Sequence, residues 1–277
     1  MTFDEPESAA DDEGDPEEAY VEPVDETTKT THYVPKDGRA PLVVTVGYTM
    51  LTRLTSPTAK DGVPPQYSGT ISPGMSAAVT VYPLRFADGT GGLRNLGAFA
   101  RGAMVWMRSV IADASPARVQ LDVYYSIHAG AVYRHVFSER ESAVAVGGEL
   151  ALAWDGMTAA STSPFPSTMY VSPLANALLE VPLAGRSFVW QTRVGIMPIS
   201  WLGSAQTAFF GKQSHAWGLR ATTGFRSTLW RDLLYAEVEG IFGHYWQHYG
   251  APGAAGLQGV VLRDLTLGFN LAAGVTY

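Results

Sequence analysis

The sequence predicts an all-β fold in which ten antiparallel strands run up and down and close into a barrel. Three observations carry this reading. From Pro41 to Tyr277 apolar and polar residues alternate with a period of two in ten separate stretches, the spacing at which successive strand side chains point to opposite faces. The stretches are divided by segments rich in the chain's 29 Gly and 17 Pro, the residues that make turns. No run of about 18 apolar residues exists to cross a membrane as a helix.

The strands follow in order. The first covers about 42–54, with Leu42, Val44, Val46, Tyr48 and Met50 on one face. The second, about 68–83, aligns Met75, Ala77, Val79 and Val81, and the third, about 96–108, aligns Leu96, Ala98, Ala100, Met104 and Trp106. The fourth, about 119–134, alternates without a break from Val119 to Tyr133. The fifth covers about 143–154, the sixth about 168–182 and the seventh about 187–200. The eighth covers about 214–227, the ninth about 233–246, and the tenth Val261 to Tyr277. Expected outer loops are about 55–67, 109–118, 155–167, 201–213 and 247–260; the turns 135–142, 183–186 and 228–232 are shorter. The connection 84–95 is long for its end of the barrel.

Charge placement separates the two phases, and three other features decide which of them faces inward. Arg101, Asp122, Arg134, Glu149, Glu180, Arg193, Arg220, Arg226, Glu237, Glu239 and Asp264 all fall on the polar phase, and only Arg108 and Arg263 on the apolar one. Strands of about 12–17 residues exceed the soluble mode of about 5–6 and suffice for a tilted membrane crossing of about 9–11. The polar phase lacks Lys; beyond residue 40 only Lys60 and Lys212 occur, both in expected loops. Trp106, Trp154, Trp217 and Trp246 cluster at one set of strand ends; Tyr82, Tyr133, Phe188, Trp190, Phe225, Tyr235 and Tyr277 cluster at the other. Two aromatic girdles around an apolar band mark a wall that faces lipid. The barrel is therefore expected to be transmembrane, with its polar phase inward. The rival fold is a soluble ligand-binding β-barrel with the apolar phase inside.

The tenth strand, with Phe269, Leu271, Val275 and a terminal Tyr277 on one face, resembles the closing strand of bacterial outer-membrane β-barrels. There an aromatic C-terminus is what the barrel-assembly machinery reads. The whole of 41–277 resembles the small, mostly uncharacterised outer-membrane barrels of Gram-negative bacteria, some of them porin-like, at the level of architecture. That resemblance implies an outer-membrane location, both termini periplasmic, and lipid and the assembly machinery as partners.

Residues 1–40 differ in kind. They hold 13 Asp/Glu against 3 Lys/Arg, whereas the remaining residues hold 13 against 16. An acidic, Pro-containing segment without aliphatic periodicity cannot offset its ordering entropy by burial, so a disordered periplasmic arm is expected. It would be a spacer, or a docking tail for a basic periplasmic partner or a cation. No positively charged stretch leading into an apolar core is present in this numbering, so no signal peptide is expected within it. Absence of Cys excludes disulfides and thiolate metal sites.

No catalytic constellation emerges. Outer-membrane lipid hydrolases share a His-x-Ser pair, and none of His32, His128, His135, His215, His244 and His248 has Ser two residues on. The paired aspartates and Asp-x-His of omptin-type proteases do not occur beyond the acidic arm. His215 and His244 are expected near each other across strands eight and nine, at the outer interface, as headgroup-level residues; an enzyme with an unfamiliar site at the outer mouth is the alternative. No metal site, cofactor or nucleic-acid motif is expected, and the oligomeric state is not encoded legibly. A ten-stranded lumen is near the size that side chains fill. Gly47, Gly74, Gly268 and Gly274 belong to an expected small-residue wall formed by strands ten, one and two, opposite the long charged side chains. Arg193, Arg220 and Arg226 are expected to pair with Glu180, Glu237 and Glu239: Arg226 with Glu237 across strands eight and nine, and Arg220 with Glu239 one layer higher. Two readings stay open: a charge-filled plug, or a narrow hydrated path along the small wall.

Overall fold

A computed structural model describes residues 40–86, 92–111, 118–138, 142–230 and 233–277. The expected disordered arm, 1–40, lies outside the described residues except for Ala40. Ten long strands build the barrel: β1 (Leu42–Thr58), β2 (Ser72–Val81), β3 (Leu96–Ile111), β4 (Arg118–Val136), β5 (Ala145–Thr158), β6 (Thr168–Ala184), β7 (Phe188–Pro198), β8 (Gln213–Trp230), β9 (Leu234–Tyr249) and β10 (Val261–Thr276). Each pairs antiparallel with its sequence neighbours, and β10 returns to β1 in register from Val43 opposite Thr276 to Thr58 opposite Val261. Closure leaves no unpaired strand edge, the condition a sheet must meet in a bilayer. Leu42 and Tyr277 exchange backbone hydrogen bonds at the seam, so β1 starts and β10 ends at the same rim.

The alternation read from the sequence is the alternation of exposure. Along β4, every residue from Gln120 to His128 on the even phase is buried, while Val119, Leu121 and Ile127 stand outward. Val46, Leu150, Leu152 and Ile196 are each at least 60% exposed, whereas Asp122, Asp155 and Asp264 are fully buried. Large apolar side chains outside and carboxylates inside are the reverse of a soluble barrel's order. That arrangement excludes the ligand-binding soluble barrel, whose apolar phase would form the core.

Several boundaries differ from the sequence reading. β1, β5 and β9 run on through Thr58, Thr158 and Tyr249, because ladder hydrogen bonds continue after the apolar period has ended. The second strand begins at Ser72; Tyr67–Ser68 instead forms a separate short pairing with Leu54 and Thr55 of β1. The loop after β7 contains Trp201–Leu202, paired with β6, and an unforeseen helix α1 (Ser204–Phe210) ending at Gly211, whose φ of 109° suits glycine. The long connection between β2 and β3 carries two 3₁₀ turns and a buried Arg85, which donates to the Arg94 carbonyl and to Asn95 and lies 4.8 Å from the Tyr82 ring. Two members of the expected girdles turn inward: Tyr82 and Tyr235 are only 5% and 4% exposed. Their parity matches that of the interior charges, and being aromatic did not override it.

Candidate functional site: the barrel interior

The interior is stacked in tiers. At the long-loop end, Arg53 of β1 faces Asp264 of β10. Its Nε donates to Asp264 Oδ1 over 2.8 Å, and its Nη2 reaches Asp264, Thr168 Oγ1 at 2.8 Å and the Tyr170 hydroxyl at 3.1 Å. Tyr170 in turn donates to Asp264 at 2.6 Å. Asp122 pairs with no arginine among the described residues. It accepts from the hydroxyls of Tyr67 and Ser109, each at 2.9 Å, and from the Ala160 N–H at 2.8 Å. This carboxylate ties the first and third long loops to β4.

One tier down, Arg220 approaches Asp155 at 3.5 Å, and Asp155 also receives the Tyr245 hydroxyl at 3.0 Å and lies 3.1 Å from His128 Nε2. In the middle tier Glu149 gathers Arg101 at 2.6 Å, the Asn176 amide at 2.7 Å and Arg193 at 3.4 Å, while Arg193 donates to Glu239 at 2.8 Å. Towards the short-turn rim Glu180 holds Arg134 and, at 3.8 Å, Arg226, whose guanidinium lies 5.7 Å from the Tyr235 ring.

The structure thus regroups the expected pairs. Arg193 meets Glu239 and Arg226 meets Glu180, but Arg220 takes Asp155 where Glu239 was expected. Glu239 lies opposite Gly224 in the ladder, four residues from Arg220 along β8, too far along the strand to share its tier. Arg226 and Glu237 are opposite each other in register, yet Glu237 makes no ion pair among the described residues. The guanidinium reaches past β7 to the more enclosed Glu180 of β6 instead. Asp264 and Glu149 prove to be hubs, and Arg53, the partner of Asp264, and Asp155, the partner of Arg220, lie on the inward phase too. Arg53 could have been found by extending the same parity count. Asp155 was hidden by ending the fifth strand one residue early.

The small wall is covered where its glycines stand. Ser76 Oγ and Asn270 Oδ1, 2.8 Å apart, bridge above Gly47, and a Cβ there would meet them at 2.7 and 2.8 Å. At Gly74 a Cβ would run into Met104 and Val105, at Gly268 into Met50 and Leu51, and at Gly274 into the Tyr235 ring, whose hydroxyl bonds Thr45. Gly274→Ala is therefore expected to displace Tyr235 and cost about 1–3 kcal/mol, the range for overpacking. Denaturant midpoints of the refolded barrel check it, and an unchanged midpoint would mean that the ring is loose.

Above the charges sits an apolar stopper that composition did not announce. Phe165, Leu202, Phe210, Leu257 and Val260, all from the third, fourth and fifth long loops, pack with Tyr67, Met107, Met157, Met197, Tyr249 and Leu262 in one buried cluster. Phe165 and Phe210 lie 5.8 Å apart by ring centroid, and Phe210 and Tyr249 5.5 Å. Buried Gln206 of α1 bonds Gln247 of β9, which also accepts from Tyr249. Loop sequences carry no period, so only their tertiary placement reveals the stopper. At the other rim Tyr82, Phe99 and Val132 form a smaller cluster.

Ser126, His128 and Asp155 come close, but Ser126 and Asp155 both approach His128 Nε2, at 3.3 and 3.1 Å. A relay needs the hydroxyl and the carboxylate on different ring nitrogens, and this trio is enclosed, so it packs the lumen. Among the described residues no three His, Asp or Glu side chains converge as a metal would require. Outside the wall His215 stacks on His248 at 4.0 Å, whereas the expected partner His244 stacks on Trp246 at 3.7 Å. His215 faces His248 in the ladder, and His244 faces Leu219.

No protein-family model and no curated protein matches the chain. Among solved structures it is similar to Neisserial surface protein A, with 13% identity, 86% of this chain and 98% of the other covered, and a TM-score of 0.31. It is also similar to Ail, the attachment invasion locus protein of Yersinia pestis, with 11% identity, coverage of 84% and 99%, and a TM-score of 0.28. OmpT, an outer membrane protein of Vibrio cholerae, gives 7%, 84% and 99%, and 0.28. The barrel rests on its own strand pairing.

Proposed function

We propose that this chain is an integral outer-membrane barrel whose role is structural, with the interior closed by paired charges and an apolar stopper. The observation that supports closure best is the stack of ion pairs in which Arg53, Arg101, Arg134, Arg193, Arg220 and Arg226 each have a carboxylate within 3.8 Å, capped by loop residues packed to near-complete burial. An aqueous pore of this width would leave such groups to water. The apolar outer wall supports the membrane location, because exposing it to water is unfavourable at about 25 cal/mol per Å².

In this reading the rim holding the seam, Leu42 and Tyr277 faces the periplasm, and the long loops face outward, as barrels of this kind prefer. The acidic residues 1–40 serve on the periplasmic side as a spacer, or as a docking tail for a basic partner or a cation. Phe269, Leu271, Val275 and Tyr277 present the apolar edge that the assembly machinery reads during insertion. The interior charges Arg101, Arg134, Glu149, Glu180, Arg193, Arg220, Arg226, Glu239 and Asp264 fill space and fix strand register; they do not conduct.

A narrow pore is the competing reading, favoured by buried polar atoms without protein partners on Gln191, Thr222 and Thr266, which ordered water would satisfy. Planar-bilayer recording separates the two. The expected result is silence from the native chain and from Glu239→Gln, with the variant losing about 1.5–3 kcal/mol for a hydrogen bond to a charged group. Steady conductance with a shift towards anions in Glu239→Gln would establish the pore instead.

A further inference from the structure

The outward wall of β8, β9 and β10 near the long loops differs from the rest of the barrel. Trp217 and Trp246 face each other in register and stack at 4.0 Å and 15°. His215 and His248 stack beside them at 4.0 Å and 22°, and His244 lies against the free side of Trp246 at 3.7 Å. Arg263 of β10 stands opposite Trp246, and is therefore diagonal to both His244 and His248. The six form one compact patch on three adjacent strands. His215 and Arg263 are each the third residue of their strands, and His248 is the last but one of its own, so the patch lies at the level where lipid headgroups meet the wall.

Arg263 is set apart from the interior arginines. Each of those has a carboxylate within 3.8 Å, whereas Arg263 makes no ion pair among the described residues and its side chain is exposed. The strand carboxylates Asp122, Glu149, Asp155, Glu180, Glu237, Glu239 and Asp264 all take the inward phase, so an anion approaching this wall meets no like charge on the strands. Below Arg263 on the same face, Leu265 and Leu267 continue the apolar wall along which an acyl chain can lie.

We infer that this patch is a binding site for a phosphate-bearing lipid of the leaflet on the long-loop side. The Arg263 guanidinium grips two phosphate oxygens as a planar fork, and His244 and His248 supply the flanking ring N–H donors. The stacked indoles form a flat platform at the interface for the glycerol or sugar that carries the phosphate. The chemistry is that of a phosphate ester; the commitment to a lipid comes from the acyl track beneath the arginine. The inference rests on the membrane reading above.

The test uses the full chain in nanodiscs of phosphatidylcholine containing a minority of phosphatidic acid, with the lipids retained on the protein counted by native mass spectrometry. Phosphatidic acid is expected to be enriched about fivefold or more over its bulk fraction, given roughly one surface cation's worth of attraction per basic residue. Arg263→Gln should remove most of that enrichment and His244→Gln part of it. Arg108→Gln, which removes the other outward strand arginine, on β3, should leave it within about twofold, below one cation's worth. Equal loss in Arg108→Gln, or no enrichment in a natively inserted barrel, would overturn the site. Displacement of the lipid by inorganic phosphate would overturn the lipid commitment. Failure to enter nanodiscs of phosphatidylcholine alone would instead sink the membrane reading, a result visible before any lipid is counted.

Discussion

Asp264→Asn is expected to destabilise the barrel by about 3–5 kcal/mol, the usual consequence of stranding one member of a buried ion pair. Arg53 is 1% exposed and Asp264 not at all, so neither charge has bulk water to fall back on. The pair also spans the closing seam between β1 and β10, and through Thr168 and Tyr170 it reaches across the lumen to β6. The carboxamide keeps the shape and loses the charge, leaving a guanidinium that Thr168 and Tyr170 cannot neutralise. Urea titration in phosphatidylcholine vesicles, read by tryptophan fluorescence, measures the loss. The double variant Arg53→Met/Asp264→Leu should recover most of it, because removing both charges of a buried pair is often neutral. A loss below about 1 kcal/mol for Asp264→Asn is the value for a solvated pair, and would show that water fills the mouth and the stopper does not seal.

Leu150→Arg is expected to cost about 2–4 kcal/mol, the penalty for an arginine on the lipid face near the bilayer midplane. Leu150 is 69% exposed and lies close to the centre of β5, opposite Ala131 and Ala175. In water such a residue is surface, and an exposed leucine exchanged for arginine changes stability by no more than about 0.5 kcal/mol. The same substitution therefore gives opposite answers for the two environments. Folding the variant into phosphatidylcholine vesicles and comparing its unfolding free energy with the native value decides between them. A near-zero difference would mean that the outer wall does not face lipid, and the membrane reading would fall with it.

Much of this fold is legible because a strand enforces a strict period. All ten strands can be placed by parity, and so can the inward position of each interior charge, since a one-residue slip would turn an entire charged set towards the apolar side. The same rule, applied past the point where the apolar residues stop, would also have delivered Arg53, Asp155 and Gln247. Aromatic type misled at Tyr82 and Tyr235, where parity was the better guide.

Partner choice within the lumen was not legible. Parity says that Arg220 and Glu239 both point inward, but the stagger of strands around a closed barrel decides which charges share a tier. Arg220 therefore meets Asp155 across the lumen, while Glu239 goes to Arg193. The stopper is further still from the sequence, because Phe165, Phe210 and Leu257 sit in loops with no period and α1 is a helix of 7 residues without a side-chain cap. The sequence by itself determined the strands, their two faces and which face carries the charge, because backbone geometry fixes these locally. Only the tertiary structure decided which charges meet and what closes the mouth, because those contacts depend on the cross-barrel stagger and on loops folding back over a lumen that exists only once the barrel is closed.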